Sequence, residues 1–206
     1  MYKMVIESQQ FMKRMYSPKA FYRLLVDMLK NLKDMREAGR SKRISHEFSE
    51  RIMMAVTEVN GCRYCSYFHA QMALKAGIGK DEIDRTLLGD FNFAPQEEVA
   101  ALYFAQYYAE SGGNPNQESI QCLVENYGNL LTKDILVYIR TIMIGNAWGN
   151  MFDALWMRIK GKPNKETTFL KEFGVVFGSL LMVPAIFIQL VLNKLSGKTK
   201  PAIHNL

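Results

Sequence analysis

The chain is poor in cysteine and in histidine, with three of each among 206 residues. Three cysteines cannot build a disulfide framework in a chain of this length. A reducing, cytoplasmic compartment is therefore the expectation. No stretch alternates apolar and polar residues as a half-buried strand does, so a sheet is not expected. Internal repeats of solenoid length and low-complexity tracts are lacking too, which removes repeat architectures and compositional linkers. The N-terminal stretch lacks an uninterrupted apolar core, because Lys3, Glu7, Lys13 and Arg14 break it. A cleavable signal peptide is not expected there. No nucleic-acid-binding motif occurs. One stretch lacks charge altogether: residues 173–192, FGVVFGSLLMVPAIFIQLVL.

What is present is helical spacing. Apolar residues recur three and four apart almost throughout. Phe21, Leu24, Leu25, Met28, Leu32 and Met35 mark one amphipathic helix over 19–37, with Gly39 as its stop. Ser45 is placed to cap a helix that runs to Val59 and halts at Asn60-Gly61. Further helices are expected over 61–76, 80–88, 95–112 and 117–126, and a long one capped by Thr132. Gly145 and Gly149 on that last helix point to close packing or a bend. The fold class is all-α, with seven or eight helices over residues 15–160 and an apolar, basic C-terminal extension over 161–206.

Charge is unevenly spread. Residues 1–50 carry 11 Lys/Arg against 6 Asp/Glu, residues 51–157 carry 7 against 12, and residues 158–206 carry 8 against 2. Basic flanks fit solvated helix faces or an anionic membrane surface. About 20 apolar residues suffice to cross a bilayer, so 173–192 allows membrane contact. Pro184 permits a kinked span, a re-entrant hairpin or two short helices. Burial of this tail in an oligomer interface or across the domain is the other reading.

Chemistry concentrates in Asn60-Gly61-Cys62-Arg63-Tyr64-Cys65-Ser66-Tyr67-Phe68-His69. Spacings of three and four place Cys62, Cys65 and His69 on one helix face. Asn60-Gly61 puts the pair near a helix start, where partial positive charge favours a thiolate. A thiol of pKa about 8.5 is mostly protonated near neutrality, and a nearby base brings it toward ambient pH. The stretch reads as a reactive dithiol. Glu58 is a reserve acid facing the thiols. His46, four residues before Glu50, could pair with it but reads as an exposed helix-start residue. Cys122 reads as a core residue, and His204 falls in the tail. Asn146, Trp148 and Asn150 fall on the last core helix, as packing or as pocket wall.

The string N-G-C-x-x-C-x-x-x-H, followed by A-L-K-A-G-I and D-E-I and preceded by Glu50 twelve residues before the first cysteine, resembles the carboxymuconolactone decarboxylase family, in its alkylhydroperoxidase D-like branch. The resemblance spans roughly residues 20–160 and is strongest from Glu50 to Ile83. It implies a thiol-dependent peroxidase or disulfide oxidoreductase with no cofactor and no metal. In that reading Cys65 is the peroxidatic cysteine, Cys62 the resolving cysteine, His69 a proton shuttle and Glu50 the base end of the relay. It further implies a hydroperoxide or disulfide substrate, an external dithiol reductant and a homo-oligomer, trimer or hexamer. One position departs: peroxidase members carry a second histidine between the cysteines, and this chain has Tyr64. A tyrosine of pKa near 10 does not shuttle protons at neutral pH. The change bears on peroxide reduction and leaves dithiol exchange intact. Two other classes remain: a metal module using Cys62, Cys65 and His69 with Cys122, His46 or Glu50, and a redox-inactive membrane-associated scaffold.

Overall fold

The computed structural model describes residues 14–196, which form nine helices and no strand. Lys3, Glu7, Lys13, Lys198, Lys200 and His204 lie outside the described residues. The helices are α1 Pro18–Lys30, α2 Leu32–Ser41, α3 His46–Asn60, α4 Arg63–Ala76, α5 Lys80–Thr86, α6 Gln96–Glu110, α7 Gln117–Ile159, α8 Phe169–Val176 and α9 Ser179–Leu195.

Their boundaries follow from end chemistry. Ser17 caps α1 by accepting from the Ala20 amide at 3.1 Å, and Pro18 opens it with a fixed φ. Ser45 caps α3 by accepting from the Phe48 amide at 3.0 Å. Asn116 caps α7 through the Ser119 amide at 2.8 Å. Gly61 ends α3 in the left-handed region, φ 65° and ψ 35°, which a glycine adopts at no steric cost.

The expected helix over 19–37 is two helices. It breaks at Asn31, whose side-chain amide donates to the Asp27 carbonyl at 2.7 Å and so competes with the helix ladder. Gly39 does not stop the second; α2 continues to Ser41 and ends on Lys42 at φ 52°. Thr132 is not a cap either. The break in α7 lies at Gly128, φ 68° and ψ 166°, and the Thr132 hydroxyl donates back across it to the Leu123 carbonyl at 3.3 Å. Pro95 precedes α6 rather than opening it.

The core is organised on α3, which packs against α4, α5, α6 and α7. One side places Phe48, Ile52, Ala55 and Val56 in the main cluster with Leu102, Ala105, Ile135, Ile139 and Met143. The opposite side places Met54 in a smaller cluster with Ala70, Ala73, Ile78, Ile83 and Leu87, from α4, α5 and the turns beside α5. Each fully buried aliphatic side chain contributes about 1.5–3 kcal/mol relative to exposure. With both faces covered, α3 has no room to slide, and residues it carries are held to a fixed place.

At the C-terminus α8 packs on α7 and α1, and α9 on α1. The bidentate Arg158–Glu172 pair, 2.7 and 2.8 Å, fixes the start of α8 to the end of α7. The bend between α8 and α9 measures 56° and sits at Phe177-Gly178, not at Pro184, which lies inside α9. Any Cβ at Gly178 would run into the Gly174 carbonyl. Among the described residues no single helix is long and apolar enough to cross a membrane, although the bent pair meets that length and composition together.

Arg51 of α3 is buried and bridges two helices, to Glu82 at 2.5 Å and Glu98 at 2.9 Å. Burial pushes the Glu98 carboxyl up and Arg51 pulls it back. Arg51→Met leaves both acids without their cation, at an expected cost of about 3 kcal/mol near neutral pH in urea unfolding. A carboxyl raised in the folded state binds its proton more tightly there, so this loss shrinks as pH falls and grows as pH rises.

Candidate functional site

The site is built where α3 turns into α4 and α7 passes behind them. Asn60 ends α3 and is wholly buried. Its side-chain oxygen accepts from the Tyr16 hydroxyl at 2.9 Å, and its backbone carbonyl accepts from Asn150 Nδ2 at 2.8 Å. Asn150 lies on α7 and so pins the turn to that helix. Burial pushes the Tyr16 hydroxyl up to about 12, so it remains a proton donor here.

α4 starts on Cys62, which occupies the cap position that Ser or Asp fills elsewhere. Its sulfur accepts from the Cys65 amide at 3.4 Å. Cys62 has no exposure, and Cys65 is half-buried. Both are thiols, with no disulfide between them. Behind them lies Gly149 of α7. A Cβ on that residue would stand 2.8 Å from the Cys62 sulfur and 3.7 Å from the Cys65 sulfur. Both sulfurs therefore face one glycine, and the helices approach as closely as they do because it has no side chain.

The buried face of α4 continues through Ser66, His69, Ala70 and Ala73. His69 Nδ1 and Glu50 Oε2 are 2.8 Å apart, with Glu50 only 3% exposed. A carboxylate accepts, so Nδ1 carries the hydrogen and Nε2 is the basic nitrogen of the neutral ring. His46 Nδ1 stands 3.8 Å from the other oxygen of Glu50. His46 is half-exposed and lines a cleft of about 370 Å³ with Ser49 and Tyr138. Glu50 thus sits between a buried and an exposed imidazole.

The helix start expected to favour a Cys65 thiolate meets the other sulfur. The α4 amide points at the Cys62 sulfur, and the Cys65 thiol is pushed up, first by its hydrogen bond to Cys62 and then by burial. A thiolate on one sulfur disfavours a second beside it, because the two charges would face each other at short range. Among the described residues no direct hydrogen bond joins Cys65 to His69, which lie one turn apart on α4.

Tyr64 is tied to α7. Its hydroxyl donates to Asp153 Oδ1 at 2.9 Å, and Arg63 pairs with the same oxygen and lies over the Tyr64 ring at 5.0 Å. Asp153 is 2% exposed, one turn beyond Gly149 on α7. No spacing in the sequence announced it, since 89 residues separate it from Tyr64.

Other expected residues are elsewhere. Glu58 bonds Gln106 at 3.1 Å and faces α6; burial pushes its carboxyl up. Cys122 is exposed, against the expectation of a core residue, because the first part of α7 turns that face to solvent. Asn146 accepts from the Thr57 hydroxyl at 3.1 Å and ties α7 to α3. Trp148 is on the surface, its indole donating to the Val176 carbonyl at 3.3 Å. Among the described residues no three His, Cys, Asp or Glu side chains are grouped to hold a metal ion.

No curated protein and no solved structure matches the chain. The close cysteine pair and the buried Glu50–His69 contact fall inside a segment matched by a family model. Residues 27–107, from within α1 to within α6, match the model of the carboxymuconolactone decarboxylase family.

Proposed function

We propose that this protein is a thiol-dependent peroxidase or disulfide oxidoreductase of the alkylhydroperoxidase D-like kind, working without a cofactor. The observation that carries the reading is the buried Glu50–His69 pair one turn from Cys65, with Cys62 three residues before it. A buried acid and imidazole beside a dithiol supply what thiol chemistry needs: somewhere for the Cys65 proton to go.

Cys65 is the attacking sulfur, because it has access that Cys62 lacks. Its proton passes to Nε2 of His69, directly after a side-chain movement or through water, and Glu50 stabilises the imidazolium. The Cys65 thiolate attacks the outer peroxide oxygen. The O–O bond breaks, a sulfenic acid forms, and the alkoxide leaves with the proton from His69 as an alcohol. The Cys62 thiolate, held by the α4 amide, attacks the sulfenic sulfur and expels hydroxide, which is protonated to water. An external dithiol returns two electrons and two protons by exchange. His46, reaching the open cleft, gives Glu50 a route for proton exchange with solvent. Tyr64, committed to Asp153, braces α4 on α7 and takes no proton. The same dithiol can start from a disulfide substrate, for which only the exchange steps are needed.

Stopped-flow oxidation of the reduced protein by cumene hydroperoxide tests this. Cys65→Ser should abolish sulfenic acid formation, and His69→Ala should slow it by about a hundred-fold or more. Glu50→Gln should behave like His69→Ala. Equal slow oxidation in all variants and the parent removes the peroxidase reading.

Titration of thiolate absorbance near 240 nm checks the coupling. Cys62 is the largest cause of the upward push on Cys65. Cys62→Ala should therefore let Cys65 ionise at lower pH than in the parent.

Gly149→Ala puts a methyl group against both sulfurs. The expected cost is about 1–3 kcal/mol in chemical unfolding, with slower closure of the Cys62–Cys65 disulfide.

A further inference from the structure

The C-terminal helices are the part of the molecule that its own core leaves uncovered. α9 meets the body along one stripe, Met182, Ile186 and Leu190, of which Ile186 is fully buried. Around the rest of the helix Leu180, Leu181, Phe187, Ile188, Leu192 and Leu195 are exposed, Leu181 at 76% and Leu195 at 79%. α8 and its C-cap add Phe169, Phe173 and Phe177, exposed and one turn apart, with successive ring centroids 5.7 and 4.7 Å from each other. No charged side chain interrupts residues 173–192.

This surface continues to the dithiol. The Trp148 indole is bonded to Val176 of α8. Trp148 stacks on Phe152 at 5.2 Å, and Phe152 meets the edge of Tyr64 at 6.3 Å. All three rings are partly exposed. Gly149, next to Trp148, is the residue whose Cβ position faces both sulfurs. Basic residues stand at its border: Lys160, Lys162, Lys165 and Lys171 are exposed, and Lys160 lies 4.9 Å over the Trp156 ring.

We propose that α8 and α9 lie in one leaflet of an anionic lipid bilayer, with Trp148 and Trp156 at headgroup level and the lysines on lipid phosphates. Three observations select this occupant over a second copy. A partner helix covers one stripe, whereas the apolar arc of α9 runs round most of the helix. Exposed indoles bordered by lysines match the interfacial zone of a membrane, while lysine is depleted in protein–protein contacts. The 56° bend and the 17 residues of α9, about 26 Å of helix, suit lying in the interface rather than crossing about 30 Å of hydrocarbon. Resting on the peroxidase reading, the same geometry sets Cys65 at the lipid surface and makes hydroperoxides of membrane lipids its substrate class.

The full chain is floated with vesicles of phosphatidylcholine alone and of three parts phosphatidylcholine to one part phosphatidylglycerol. Binding to the anionic vesicles should be stronger and should weaken with salt. Phe187→Glu with Ile188→Glu should lower it by about a hundred-fold with helical circular dichroism retained. Lys160→Glu with Lys162→Glu should remove the preference for phosphatidylglycerol. No flotation with either vesicle overturns the docking, as does a discrete oligomer that the Phe187 and Ile188 changes dissociate. The substrate clause is read from turnover on phosphatidylcholine hydroperoxide in anionic vesicles against cumene hydroperoxide in solution. The ratio should fall about ten-fold in the Phe187/Ile188 variant; an unchanged ratio overturns that clause. Loss of both reactions in the parent overturns the peroxidase reading and the substrate clause together, while flotation still decides the docking.

Discussion

A carboxylate with almost no access to solvent, Glu50, is held 2.8 Å from His69, and that contact joins the two helices around which the dithiol is built. A buried charge without a partner is costly, so α3 and α4 cannot part without exposing that cost. The contact also sets the tautomer of the imidazole. The core serves the same geometry: apolar clusters on both sides of α3 prevent Glu50 from shifting along the helix axis.

The dithiol depends on a second constraint, the closeness of α7. Asn150 holds the carbonyl of Asn60, Gly149 backs both sulfurs, and Asp153 receives Tyr64 and Arg63. These three residues lie within two turns of one helix. Each acts on a different part of the turn and first turn of α4. The helix start serves Cys62 rather than Cys65, because the cap is itself a cysteine, and the Cys65 thiol is pushed up by that neighbour and by burial.

Much of the fold was legible, because capping and periodicity are local. Ser45, Gly61 and Gly77 end or begin helices where their chemistry says they should. Local signals misled where a competing partner was out of sight. Gly39 has helix on both sides, Thr132 bonds across a break that Gly128 makes, and Asn31 divides a continuous apolar stripe. In the site, Cys62, Cys65, His69 and Glu50 could be grouped from spacing and family likeness. Glu58 could not be excluded by spacing, since only the packing of α6 shows that it faces Gln106. Asp153 and the reason for Gly149 depend on which face of α7 meets α4, a tertiary fact that no local pattern carries.

The Arg158–Glu172 pair spans the loop that leads to the apolar helices, and Arg158 also holds the Thr167 carbonyl at 3.1 Å. Direction is thereby encoded at the two feet of the loop, not along its span. Gly161 and Lys162 close the end of α7 with amides on the Arg158 and Met157 carbonyls, and Pro163 follows them, exposed. Extra residues spliced in after that closing turn would leave both feet in place, and the hydrophobic arm would still depart at the same angle.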